Sequence, residues 1–209
     1  MLEQVLSQKI QRRVFRFAAI PEMDEFLAEL DLDVQGSEEL RDLLAVRGHM
    51  TKMDELCDGP FRLKRKLRRN RTRFSDGSFP VFYSSLEPST AEAEVRHWFP
   101  QYAGQPKYPR TAYYQGFSCT FDGIEKDLRP KIDEWPDLVH DTDYTFCNQI
   151  GAEARDLRID GLATWSARHK GTNVPILDRL AIGDPNPEGG IAVTYYPDRG
   201  EVVVVDMSS

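Results

Sequence analysis

An α+β fold is predicted for this chain of 209 residues on three observations. The first 60 residues carry apolar side chains at helical spacing, whereas the remainder is dominated by short alternating or aromatic stretches bounded by glycine and proline. Strands and helices succeed one another in irregular order with no repeated βαβ unit, which argues against a doubly wound parallel sheet. Neither GxGxxG nor GxxxxGK(S/T) occurs, so neither common glycine-rich phosphate loop is available.

Taken in order, residues 22–30 follow Pro21 and align Met23, Phe26, Leu27 and Leu30 on one helical stripe. Ser37 can cap a second helix over 38–46, striped by Leu40, Leu43 and Leu44, and Thr51 with Asp54 forms a capping box for a short helix ending near Cys57. Residues 1–57 are therefore read as a helical N-terminal extension and 58–209 as a separate β-rich part, with the change at Asp58-Gly59-Pro60. Residues 79–84 form an apolar, aromatic strand, and Ser89 with Glu92 makes a capping box for a helix that Pro100 closes. Alternation of Tyr113, Gln115, Phe117, Cys119 and Phe121 marks 112–121 as a half-buried strand. A helix over 141–157, short strands at 161–165 and 174–177, and a hairpin of 192–196 with 202–206 around Pro197-Asp198-Arg199-Gly200 complete the chain.

At this length, folding buries roughly 70% of the unfolded surface, so no disulfide or metal staple is needed. Cys57, Cys119 and Cys147 are an odd count without a CxxC, as expected of reduced cytosolic thiols. His49, His97, His140 and His169 are scattered with no i, i+4 pair, so no metal site is expected. No apolar stretch approaches the about 18 residues of a membrane span, and MLEQVLSQKIQRR has charges within any would-be signal segment. A soluble, cytoplasmic protein is the expectation.

Net charge is -7, yet residues 62–73 hold eight Lys or Arg in twelve positions, leaving 19 of the 27 basic residues against 34 acidic ones elsewhere. A nucleic-acid binder would carry a basic domain, so direct nucleic-acid contact is not the favoured reading of this island. An anionic small ligand, gripped bidentately by a few guanidinium groups, suits it better.

Chemistry-bearing residues concentrate at Arg73-Phe74, at residues 83–94 (YSSLEPSTAEAE), and at Trp165-Ser166-Ala167-Arg168 with Gly171-Thr172-Asn173 behind. Singly, each has a plain reading: a solvated arginine, a core tyrosine, an exposed helical glutamate, a turn hydroxyl.

Together, Arg73-Phe74, then Val81-Phe82-Tyr83-Ser84-Ser85, then Ser89-Thr90-Ala91-Glu92-Ala93-Glu94-Val95, then Asp160-Gly161 and Trp165-Ser166-Ala167-Arg168, resemble the RES domain family. That family is named for its arginine, glutamate and serine and is found mainly as toxins of bacterial toxin–antitoxin pairs. The resemblance spans residues 60–209. It implies an ADP-ribosyltransferase-like core of short strands with helices, and consumption of NAD by cleavage of the bond between nicotinamide and ribose. Water, phosphate or a protein would be the acceptor.

Carried over, Arg73, Tyr83, Glu94 and Ser166 are the expected catalytic set, and Glu92 is rejected because the alanine spacing places the family glutamate at 94. Arg62, Arg71, Arg73, Tyr83 and Arg168 are the expected NAD contacts. Family members usually place glycine before the arginine and asparagine near it. Here Thr72 precedes and Ser75 follows, so Arg71 remains a rival to Arg73.

In this reading Glu94 stabilises the oxocarbenium-like ribose, Arg73 orients the pyrophosphate, Tyr83 contacts the nicotinamide end, and Ser166 fixes the carboxamide or the glutamate. NAD is substrate, no metal takes part, and a helix-turn-helix antitoxin is the implied partner. Two other readings are a mono-ADP-ribosyltransferase acting on a protein and a non-catalytic nucleic-acid-binding module using residues 62–73.

Overall fold

The computed structural model describes residues 1–20, 53–62 and 71–207. Within them lie seven strands, β1 (Ser7–Ala19), β2 (Phe82–Ser85), β3 (Arg110–Asp127), β4 (Gly161–Trp165), β5 (Thr172–Ile176), β6 (Ile182–Tyr196) and β7 (Glu201–Asp206). Three α-helices accompany them, α1 (Met53–Asp58), α2 (Pro88–Ala103) and α3 (Thr145–Asp156). The architecture is mixed α+β, as the irregular element order predicted.

All seven strands belong to one sheet in the order β1-β2-β5-β4-β3-β6-β7, and β1 also pairs with β3. That extra pairing closes β1, β2, β5, β4 and β3 into a ring, and β6 and β7 extend from β3. Only β3–β4 is parallel; the other pairings are antiparallel. Closure gives each of the five ring strands a partner on both sides, whereas β7 pairs with β6 alone and remains an edge.

The N-terminus corrects the helical expectation. Residues 7–19 form a 13-residue strand, antiparallel to β3 from Ser7↔Lys126 to Ala19↔Tyr114. Ile10, Arg12, Val14, Arg16 and Ala18 alternate as a strand should, but two of these five positions are arginines, which hides the apolar period. Val14 faces Cys119 across the pair, and Arg12 and Arg16 oppose Phe121 and Phe117. The guanidinium of Arg16 lies over the Phe82 ring, its carbon 4.8 Å from the centroid, and burial depresses its pKa. The helices expected at 22–30 and 38–46, and Thr51 of the first capping box, fall outside the described residues. The short helix ending near Cys57 is α1.

Three of the apolar clusters among the described residues hold the frame. Val14, Phe82, Phe117, Cys119, Phe121, Val174 and Ile176 pack together between the ring strands. Phe74, Leu128, Leu138, Cys147, Ile150, Ala154 and Leu162 join α3 to the segment before β2 and to β4. Phe99 of α2, with Val95, meets Phe17 of β1 and Ile191 and Val193 of β6. Burying a side chain of this size contributes roughly 1.5–3 kcal/mol.

Helix boundaries differ locally from those the sequence predicts. Glu87 is the N-cap of α2 and Pro88 its first residue, so no Ser89–Glu92 box forms. Pro100 lies inside the helix, which runs on to Ala103. α3 starts four residues later than expected, where the Asp143 carboxylate accepts the Thr145 N–H at 2.8 Å. β6 begins ten residues before the predicted hairpin arm. Its GDPNPEGG stretch reads as loop, yet it pairs with β3 through two register shifts.

Candidate active site

Glu94 stands in the second turn of α2, in an alanine- and glutamate-rich run of strong helix formers. β2 delivers the chain into this helix through Leu86, whose N–H bonds the Thr172 carbonyl at 2.9 Å. That bond ties the start of α2 to the start of β5. Ser166 follows directly on β4, and the turn it opens is closed by its N–H on the Gly171 carbonyl at 2.9 Å.

These elements converge on one carboxylate oxygen. Ser166 Oγ donates to Glu94 Oε1 at 2.9 Å, and Asn173 Nδ2 donates to the same oxygen at 2.6 Å. Asn173 is itself oriented by the buried Ser85, whose hydroxyl donates to Asn173 Oδ1 at 2.8 Å. Ser166 Oγ accepts the Arg168 N–H at 3.0 Å. Glu94 Oε2 accepts no hydrogen bond among the described residues. The carboxylate is fixed through one oxygen while the other stays available, the arrangement expected of a group that must hold a ligand hydroxyl or face a developing positive charge.

A further layer holds the 166–172 turn on the first turn of α2. Glu87 Oε2 accepts from Thr90 Oγ1 at 3.0 Å and from the Thr172 N–H at 2.9 Å, and Thr90 Oγ1 lies 3.1 Å from His169 Nδ1. Gly171 makes this approach feasible: a Cβ there would stand 1.9 Å from Thr90 Oγ1.

Tyr83 and Arg73 form an adjoining group. The Tyr83 hydroxyl donates to Thr72 Oγ1 at 2.8 Å and accepts the Phe74 N–H at 2.9 Å, which pins the segment carrying Arg73. Burial pushes the phenol pKa up, against the smaller lowering effect of these hydrogen bonds, so the group stays protonated. Arg73 Nη1 donates to the carbonyls of Leu138 and His140 at 3.2 and 2.8 Å, and its guanidinium carbon sits 4.6 Å from the Tyr144 ring centroid. Tyr144 in turn meets Trp98 of α2 edge-on, at 6.3 Å between centroids.

His97, three residues beyond Glu94, reports the electrostatics. Its pKa is lowered first by burial, then by Arg168 and Arg73, while Glu94 and Asp141 act in the opposite sense. Arg73 and Arg168 are thus felt at the α2 face that carries Glu94.

Of the residues singled out from sequence, Glu94 and Ser166 are in direct contact, Arg168 joins them through its backbone, and Arg73 with Tyr83 forms the neighbouring group. Arg71 turns to the start of α3, where it donates to Asn148 Oδ1 at 2.7 Å and Thr145 Oγ1 at 3.0 Å. Arg62 pairs at 3.1 Å with Asp58, which also takes Arg179, and among the described residues no contact joins it to Glu94. Asn173, Ser85, Asp141, Tyr144 and His97 were not identified from sequence as site residues. Asn173 lies within a stretch already singled out, but its role depends on the Ser85↔Asn173 pairing of strands 88 residues apart. Among the described residues no group of three or more His, Cys, Asp or Glu is placed to hold a metal ion, and no helix is long and apolar enough to cross a membrane.

Comparison with known proteins adds two findings. The family model of the RES domain matches residues 50–198, from just before α1 to the β6–β7 turn. Among solved structures, a chain of the crystal structure of the M. tuberculosis MbcT-MbcA toxin-antitoxin complex superposes with a TM-score of 0.54. The two share 15% identity, and the match covers 92% of this chain and 88% of that one, a likeness of fold. No curated protein matches the sequence.

Proposed function

The chain belongs to the RES domain family, and from that membership together with the setting of Glu94 we propose that it is an NAD-consuming toxin that cleaves the nicotinamide–ribose bond. The observation that carries the reading is the half-satisfied carboxylate: Ser166 and Asn173 hold Oε1, and Oε2 is left for the substrate.

The chemistry follows from the bond to be broken. The electron pair of the N-glycosidic bond leaves with the pyridinium nitrogen, so nicotinamide departs neutral and needs no proton from an acid. Positive charge then develops on the ribose, and a carboxylate held nearby stabilises it and binds the ribose hydroxyls. Removing either Oε1 donor would free the Glu94 rotamer. Arg73 and Arg168 supply the positive charge that a pyrophosphate requires, and Tyr83 acts by fixing the 72–74 segment. In this proposal the ring of five strands with α2 against it is the ADP-ribosyltransferase-like core. Arg62 and Arg71, spent on Asp58 and on the start of α3, have smaller parts.

The MbcT-MbcA structure is of a toxin-antitoxin complex. By analogy of fold, an antitoxin, of helix-turn-helix type in this family, restrains the protein in the cytoplasm until NAD consumption is released. Purified protein incubated with NAD, with and without phosphate, tests the proposal by the mass of the product. Free ADP-ribose identifies a glycohydrolase, and a phosphorylated ADP-ribose a phosphorylase. ADP-ribose attached to added protein with little free product identifies the transferase. Absence of nicotinamide under all three conditions overturns the reading.

A further inference from the structure

Arg73 and Arg168, both assigned above to the dinucleotide, reach the same loop, residues 138–144, by different chemistry. Arg73 holds it through the Leu138 and His140 carbonyls and the Tyr144 ring, with no carboxylate paired to it among the described residues. Arg168 holds it through a carboxylate: Nη1 pairs with Asp141 Oδ1, and Nη2 donates to the Asp141 carbonyl at 2.6 Å.

The two ends of that ion pair are unequal. The Arg168 side chain is 10% exposed, and its Nε is buried without a partner among the described residues, whereas the Asp141 side chain is 74% exposed. The Arg168 N–H also bonds the hydroxyl that orients Glu94. Arg168 is thus anchored to the site through its backbone, while its guanidinium is held by a carboxylate that is open to solvent.

We infer that Asp141 sets the affinity of the site for its anionic ligand: its carboxylate occupies the place on Arg168 that a pyrophosphate oxygen takes, and the ligand must displace it. This rests on the reading that the site takes a dinucleotide. A guanidinium offers five N–H donors, and the Asp141 carboxylate takes only one of them, at Nη1, through a single oxygen, so a multiply charged oxyanion at the same place would be better bound. An exposed carboxylate returns to water at little cost. A competitor tethered in cis weakens apparent binding by the fraction of time it leaves the arginine free. For an ion pair with one solvated partner, that factor is up to about fivefold.

The test is Asp141→Asn, with Asp133→Asn at an exposed acid of the same connection as a control of equal charge change. Inorganic pyrophosphate is titrated calorimetrically into each, and KM for NAD is measured in parallel. The inference predicts that Asp141→Asn binds pyrophosphate about fivefold more tightly and lowers KM about fivefold. Asp133→Asn leaves both in place, and Arg168→Lys removes the gain. Equal or weaker pyrophosphate binding by Asp141→Asn, or no binding to any form, overturns it. Should Asp141→Asn fail to fold, as judged by its melting curve, Asp141→Ser is read by the same criteria. Tighter pyrophosphate binding without nicotinamide release from NAD would retain the competition and refute the NAD reading. Turnover of NAD without any gain from Asp141→Asn would do the reverse.

Discussion

Replacing Asn173 by aspartate changes the chemistry of one group and leaves its size. Asn173 Nδ2 stands 2.6 Å from Glu94 Oε1, so the variant sets two carboxylates face to face. Unit charges about 4 Å apart repel by about 4 kcal/mol at an effective dielectric of 20, and partial exposure reduces this to about 2 kcal/mol. The lost charge-assisted hydrogen bond adds about 1.5 kcal/mol. The variant should thus be about 3 kcal/mol less stable at pH 7.5, roughly 6–12 °C in melting temperature for a chain of this size. Two carboxyls sharing one site raise the folded-state pKa of one of them. Between the ordinary carboxylate value of about 4 and that raised value, the folded state binds more protons than the unfolded state. Stability of the variant relative to the parent must therefore fall as pH rises through that window and recover below it. Asn173→Ala removes the same hydrogen bond without the added charge, so its deficit should vary little with pH. Melting curves of the three proteins at pH 4.5 and 7.5 decide the matter. An Asn173→Asp protein as stable as the parent at pH 7.5, or one with the same deficit at both values, would refute the convergence on Glu94.

Three further outcomes follow from the fold. Gly151→Ala would drive a Cβ to 1.9 Å from the Phe74 carbonyl oxygen, and because that neighbour is backbone, a loss of about 3 kcal/mol or more in chemical denaturation is expected. Tyr83→Phe strips the partner from the Phe74 N–H and frees the Arg73 segment, costing about 1–3 kcal/mol by the same assay and raising KM for NAD more than it lowers kcat. Arg12→Met removes the counter-charge of Glu125, which is 4% exposed, at a cost of about 3–5 kcal/mol. Burial already raises the Glu125 pKa and Arg12 opposes that rise, so without Arg12 the loss should grow as pH increases above the ordinary glutamate range, as a pH series of melts would record.

What the sequence made legible was what local pattern controls. The 161–165 strand coincides with β4, and the β7 arm of the hairpin starts one residue earlier than expected and ends where expected, because turn glycines and short apolar runs are local signals. β1 escaped because Arg12 and Arg16 occupy inward positions that only a partner such as Phe82 or Glu125 explains. The long reach of β6 escaped because prolines and glycines read as loop until β3 offers them a ladder. At the site, Glu94 and Ser166 were nameable from their motifs. Asn173, Ser85 and Asp141 were not, since each acts through a contact between segments 27 to 88 residues apart. Arg73 was nameable as a residue, but its hold on the 138–144 loop was not.

The most direct measurement of the central claim is nicotinamide release from NAD by the parent, Glu94→Gln and Glu92→Gln proteins, each shown to melt cooperatively. Glu92 lies two residues away and is paired at 3.5 Å with Arg96 on the exposed side of α2, so it controls for the loss of one helical carboxylate. The account predicts turnover by the parent and by Glu92→Gln, and a fall in kcat/KM of about 10²–10³-fold for Glu94→Gln. Full activity in Glu94→Gln, or its loss in Glu92→Gln instead, would contradict the assignment of Glu94 as the residue that faces the ribose.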